Sequence, residues 1–478
     1  MVLQRDLPVP VWGTAAPNEN VTVKFRDQQK KTTASADGKW SVKLDPLKAG
    51  GPDTMTVNDV TLEDVLVGDV WVGSGQSNLA GGAGGYAKND PELVTEVAAA
   101  PYPKIRLARA NKPWAEANAT NVPGFSAILF SFGVRLHKEL DVPIGLMVGA
   151  VGGTPSGFWL SPEAFESDAA CKELIAKARA SGSWEQAQKA YEQRLAKWET
   201  ESAEAAQNPD KKAPAKPAPP LKPGQCRGKV GHLYEAHIKP FQPFAIRGVL
   251  WDQGESGTAI ESVDQYTLMG ALIRGWRKEW GQGEFPFIYI QKPSGGGCAW
   301  DPANPVTAKG EAFSPLPPKV PNDGANVETH VRIARYPNTG MAISSDLGPG
   351  VHPVNKSGYA HRAADVALGM AYGRNVEYYG PVYRTHAVEG GKVRVKFTHV
   401  GKGLAFKNGD ALRGFALAGK DRVFHWADAS IDGDAVVLSC AAVPEPVSVR
   451  YAWANNRTWA NFFNQDGLPA LPFRTDSW

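Results

Sequence analysis

Two patterns in the 478-residue sequence point to an α/β protein, a parallel sheet with helices on both faces, flanked by β-rich segments at both ends. Between about 67 and 375, short apolar runs alternate with amphipathic stretches of helical period, as expected of β-α units building a parallel sheet. Before 66 and after 376, period-two runs are broken by turn residues at short intervals. At about 150 residues per domain the length allows about three domains. They are expected at 1–66 (β-sandwich-like), 67–375 (α/β) and 376–478 (β-rich).

The elements follow in order. Residues 21–25, 40–44 and 54–57 alternate polar and apolar side chains around the turn signals Asp37-Gly38 and Gly51-Pro52, which predicts the small sandwich. The run 65–72 is mostly apolar, as a strand buried on both faces requires. Residues 125–140 have helical period, and 143–150 read as an apolar strand. Strands at 246–251 and 285–291 bracket an amphipathic helix at 266–280. A strand at 341–345 precedes an Ala-rich helix at 355–372. The stretch 163–225 interrupts this order. Its first part, to about Ala206, is rich in Ala, Glu, Lys and Gln and predicts helix. Its second part carries Pro214, Pro217, Pro219, Pro220 and Pro223, predicting a solvated linker of polyproline type. Near the end, 392–397, 435–439 and 447–451 read as strands, and no repeat of 20–50 residues is visible.

Composition excludes several functions. Fifty-two basic and 49 acidic residues leave a net charge of +3, without the concentrated basic face that nucleic acid or a membrane surface demands. No run of about 18 apolar residues predicts a membrane span. Met1-Val-Leu-Gln-Arg lacks the basic and apolar regions of a signal peptide. Cys171, Cys226, Cys298 and Cys440 are too scattered for a metal site, and no H-E-x-x-H is present. Free thiols are expected, with one bridge between Cys171 and Cys226 as the alternative. No metal and no cofactor is called for. The 15 Trp suit either sugar stacking or a large core. Trp71 and Trp251 lie in apolar runs and read as core, which leaves Trp159 and Trp300 as candidate sugar contacts.

Four polar clusters follow four of the expected strands, where parallel sheets bind their ligands. They are Gly73-Ser-Gly-Gln-Ser-Asn78, Gly152-Gly153-Thr154, Asp252-Gln-Gly-Glu-Ser256 and Asp346-Leu-Gly-Pro-Gly-Val-His352. The first is neither G-x-S-x-G nor a P-loop. Together they offer Ser77 as nucleophile, His352 as base, and Gly152, Gly153, Gln253 and Glu255 as oxyanion or substrate contacts. The other histidines, among them His137, His361, His399 and His425, read as structural or exposed.

The sequence resembles the sialate O-acetylesterase family of the SGNH hydrolase superfamily. The matching segments include 1–5, 68–78, 151–154, 251–256, 352–356, 401–404, 449–453, 467–470 and 473–476, so all but 163–225 and part of 293–325 is covered. The resemblance implies an SGNH-hydrolase-like fold and cofactor-free removal of O-acetyl groups from an acetylated carbohydrate. It also implies a periplasmic or extracellular setting, with Ser77 and His352 as nucleophile and base. Many SGNH enzymes place Asp three residues before the His, where this chain has Pro349. The orienting acid is therefore open: Asp346 first, Glu255 second, and third a Ser–His dyad supported by a backbone carbonyl. Asp252 and Gly257 also depart from the commoner residues at their positions. The alternative reading is a catalytically weak or inactive esterase scaffold that binds carbohydrate. The loop 292–300 is a candidate pocket wall.

Overall fold

The structure, a computed structural model, describes residues 1–208, 212–292, 295–301, 303, 304, 306, 307, 310 and 312–478. Positions 209–211 of the expected linker, and Pro293 and Ser294 of the expected pocket wall, lie outside the described residues.

Six parallel strands form the centre: β1 (Val60–Gly75), β2 (Tyr102–Arg109), β3 (Ile144–Ala150), β4 (Gly248–Asp252), β5 (Phe287–Ile290) and β6 (Thr339–Ala342). Their spatial order is β2-β3-β1-β4-β5-β6. Chain direction of travel reverses at β1, which makes the crevice beyond its carboxyl end the switch point where such sheets bind ligands. The helices Ala127–Leu140 and Lys356–Tyr372 cover one face, and Gln265–Trp280 covers the other. Each face has its own core, one built on Trp71, Phe130 and Tyr359, the other on Trp159, Trp251 and Trp276.

β1 joins two regions. Its first half pairs antiparallel with Gly50–Val57 and parallel with Val2–Gln4, and its second half pairs with β3 and β4. One strand thus runs through the boundary expected at 66. Behind it, Val9–Thr14 and Lys39–Leu44 form a second layer over a small core of Val21, Phe25, Trp40 and Met55. Gln4 and Arg5 also explain the N-terminal motif. Gln4 Nε2 donates to Asp69 Oδ1 at 3.0 Å, and Arg5 Nη2 pairs with Asp69 Oδ2 at 2.9 Å.

β2 was not expected from sequence, because Pro103 and three basic residues mask its short buried run at Ile105–Ala108. The C-terminal strands make two four-stranded antiparallel sheets around Phe397, Phe415, Tyr451 and Phe462. They hold the segment after β5: Arg457 N donates to Gly296 O at 2.6 Å, and Asn408 Nδ2 to Ala299 O at 2.7 Å.

The segment 163–225 follows expectation in outline and adds contacts that the sequence did not reveal. Its helices, Pro162–Ser167, Ala169–Ala180 and Ser183–Ala206, match the helical reading. Among the described residues the Pro-rich part has no helix or strand, yet it touches the long helix. Trp198 Nε1 donates to Pro214 O at 2.8 Å, and the Lys216 and Lys222 ammonium groups lie 5.1 and 5.3 Å from the Trp198 and Trp184 ring centres. Aromatic faces attract cations, so the stretch touches the helix at these points, while most of its described residues, 212–216 among them, stay exposed as a solvated linker requires. All four cysteines are free thiols. Among the described residues, no helix is long and apolar enough to cross a membrane.

Candidate active site

β1 ends in Gly73-Ser-Gly75 and turns into a short helix, Ser77–Ala80. Gly75 has φ +132°, and a Cβ there would stand 2.1 Å from Asp252 O. Only glycine lets β1 and β4 approach this closely. The approach is used: Gln76 N donates to Asp252 O at 2.8 Å, and Val151 N to Gly75 O at 3.0 Å. The turn after β3 thereby lies against Ser77, with Gly152 so placed that a Cβ would sit 3.5 Å from Ser77 Cβ. Among the described residues, the backbone N–H groups of Ser77 and Gly152 have no protein acceptor.

His352 reaches the same point from the loop after β6. Its Nε2 lies 2.7 Å from Ser77 Oγ. Asn78 holds that loop: its Nδ2 donates to Val351 O at 3.0 Å, and its Oδ1 accepts from Lys356 Nζ. Nucleophile turn and histidine loop are therefore tied together one residue away from each reacting group.

A buried ionic network lies beneath. Lys292 Nζ is 2.8 Å from both Asp252 Oδ1 and Glu255 Oε1. Glu255 Oε2 accepts from Gln76 Nε2, and Ser256 Oγ donates to Gln76 Oε1 at 2.8 Å. Burial works against the Lys292 ammonium, yet the Asp252 and Glu255 carboxylates hold its pKa above the ordinary lysine value. Lys356 lacks such direct partners. Burial pulls it down to about 7, against the opposing attraction of Asp252.

No family model matches the chain. It is 27% identical to the sialate O-acetylesterase of Mus musculus, across 99% of this chain and 92% of that protein. The human sialate O-acetylesterase is 26% identical across 99% and 90%. A solved carbohydrate acetylesterase from Xanthomonas citri is 30% identical, with a TM-score of 0.73 over 100% of this chain and 97% of that one. The chain belongs to the sialate O-acetylesterase family.

Two motifs of this sialate O-acetylesterase family member, Gly-Gln-Ser-Asn and Gln-Gly-Glu-Ser, now have a physical link. The second clamps the first through Gln76. Glu255 spends its carboxylate on Gln76 and Lys292 and makes no hydrogen bond to His352. Gln253 is 1% exposed, and its Nε2 donates to the carbonyls of Thr154 and Gly257 at 3.3 and 3.1 Å. Its side-chain amide braces the two loops and is not free to serve as an oxyanion donor. Gly153 is exposed at φ +71° beside Gly152. Asp346 is fully buried, and its Oδ2 accepts from Arg362 Nη2 at 2.9 Å. The first-choice orienting acid is engaged by an arginine in the interior. Among the described residues no carboxylate hydrogen-bonds His352.

Trp159 is fully buried, its indole N–H donating to Thr154 Oγ1 at 3.0 Å, so it is core and not a sugar contact. Trp300 is half-buried against Phe463, with ring centres 5.1 Å apart. Spacing along the chain also missed one cluster. Glu92, Glu96 and His361 bring potential ligand atoms within 4.8 Å of one another, with His361 Nε2 3.2 Å from Glu96 Oε1. These three residues make no contact with Ser77 or His352.

Proposed function

We propose that this carbohydrate esterase removes O-acetyl groups from a glycan through an acetyl-enzyme on Ser77. The observation that carries the reading is the 2.7 Å approach of His352 Nε2 to Ser77 Oγ at the switch point of the sheet. Ser77 Oγ attacks the acetyl carbonyl while His352 Nε2 takes its proton. The oxyanion falls to the N–H groups of Ser77 and Gly152, each such donor contributing about 2.7–4 kcal/mol in comparable sites. The intermediate collapses, and His352 returns the proton to the departing sugar oxygen. Water, deprotonated by His352, then attacks the acetyl-enzyme and releases acetate.

The site works as a Ser–His dyad. His352 is oriented by its short loop, which Asn78 pins at Val351. This reading keeps the Ser–His pair of the third expected arrangement without its supporting backbone carbonyl, since among the described residues the His352 ring bonds only Ser77 and both Asp346 and Glu255 are engaged elsewhere.

Hydrolysis of 4-nitrophenyl acetate and acetate release from acetylated glycans test the proposal. Ser77→Ala is expected to abolish both while the thermal transition stays in place. Undiminished turnover in that variant contradicts the nucleophile assignment. Glycan binding without acetate release by the unmutated protein contradicts the esterase reading itself.

A further inference from the structure

Two clefts run outward from the rim of the Ser77 site. The first, of about 400 Å³, is lined by Gly153, Ser256, Gly257, Leu221, Arg227 and Glu261. The second, of about 730 Å³, shares Leu221, Arg227 and Glu261 and continues to Trp184 and Arg194 on the long helix of the 163–225 segment. Each has the size of an ordinary small-ligand site, about 300–1,000 Å³. Residues that the catalytic strands supply therefore form one end of a continuous groove, and the insertion forms the other.

The groove is built, not incidental. The loop that follows β4 acts as a rail between the site and the insertion. On one side it accepts from Ser156 N and Gly157 N, each at 3.0 Å, through Gly257 O and Thr258 O. On the other, Ala259 O accepts from Arg227 N at 2.8 Å, Glu261 O accepts from Gly224 N at 2.8 Å, and Glu261 N donates to Gln225 O at 2.9 Å. The end of the insertion is thus pinned by main-chain bonds to the loop that carries Ser256. Ala259 and Ser262 sit in the left-handed region, at φ +59° and +62°. Non-glycine residues held there are strained, and such strain clusters at binding sites.

The lining has the chemistry of a sugar groove. Among the described residues, the side chains of Arg227 and Glu261 have no protein partner, and the buried indole N–H of Trp184 has no acceptor. The guanidinium and the carboxylate offer donors and an acceptor for hydroxyls beside the Trp184 indole, one side of which the Lys222 ammonium covers.

Resting on the esterase reading above, we infer that the 163–225 insertion supplies subsites for the sugar residues flanking the acetylated one, so that the substrate is an oligosaccharide or polysaccharide chain. An acetylated monosaccharide at Ser77 leaves the distal cleft empty, whereas a chain fills both.

The test compares Trp184→Ala and Arg227→Ala with the unmutated enzyme on 4-nitrophenyl acetate, acetylated xylan and acetylated pectin. The two polysaccharides distinguish a neutral chain from an anionic one. On whichever chain the enzyme deacetylates, each variant should lose about tenfold in kcat/KM, mainly through KM. Hydrolysis of 4-nitrophenyl acetate should stay within about twofold, which also reports an intact catalytic core. Arg227→Ala keeps the test valid if Trp184→Ala loosens the insertion. Equal loss on small and large substrates, unchanged polysaccharide kinetics in both variants, or acetate release from acetylated monosaccharides alone overturns the inference. No hydrolysis of any ester by the unmutated enzyme overturns the esterase reading instead.

Discussion

Asp346 separates what a sequence motif suggests from what a side chain does. It lies on the loop that carries His352, but its carboxylate turns inward to Arg362, and both groups are almost wholly buried. Removing one partner of a buried pair typically costs about 3–5 kcal/mol, because the other charge is left without compensation. Asp346→Asn should therefore lower stability by about that amount in urea melts. The folded fraction should keep kcat within about tenfold of the unmutated enzyme. Loss of a triad carboxylate drops kcat by about 10⁴ in the Ser-His-Asp proteases. A fall of that size at full stability would put Asp346 back in the catalytic set. Lys292 poses the same question from the other side. Lysines are seldom fully buried, so nothing local in the sequence marked it as the bridge between Asp252 and Glu255. Ser77 and His352 were legible because each sits in a short polar motif directly after a strand. Lys292, Lys356 and the clamp on Gln76 were not, since their partners are far away along the chain.

At the scale of elements, the alternating strands and helices of the central sheet were readable from periodicity, to within a few residues at their ends. β2 was missed because its exposed end is charged, and only Ile105–Ala108 is buried. The Pro-rich part of the insertion was legible as solvated and irregular from composition, but its contacts with Trp184 and Trp198 were not, since those partners lie elsewhere along the chain. The junction of β1 and β4 is the element contact on which the site depends most. Gly75→Ala places a Cβ against Asp252 O and forces alanine to φ +132°. Strain of this kind costs about 1–3 kcal/mol before the clash is counted. The variant should melt earlier and lose esterase activity, because Gln76 N can no longer reach Asp252 O. Full activity with an unchanged melt would show that the strands part without moving Ser77.

At the scale of the whole molecule, His330 is one source of acid sensitivity. This ring is fully buried under Gly254 of the Gln-Gly-Glu motif, and among the described residues neither nitrogen has a hydrogen-bond partner. Burial first, and the Lys292 charge second, hold its pKa down to about 3. An unfolded histidine titrates near 6.5. Between those values the unfolded chain binds a proton that the folded chain refuses. The stability contributed by neutral His330 is complete above pH of about 6.5 and is lost as pH falls toward 3, at up to about 1.4 kcal/mol per unit. Urea melts between pH 7 and 4.5 should show a flatter pH dependence in His330→Phe than in the unmutated protein. Identical slopes would contradict the assignment.

The account as a whole stands on Ser77 acting as a nucleophile activated by His352. Mass mapping of the protein after treatment with a fluorophosphonate tests this most directly. A single adduct on Ser77, formed in step with loss of esterase activity and absent in His352→Ala, is the expected result. An adduct on another residue, or full hydrolysis by a protein whose Ser77 is blocked, would contradict it.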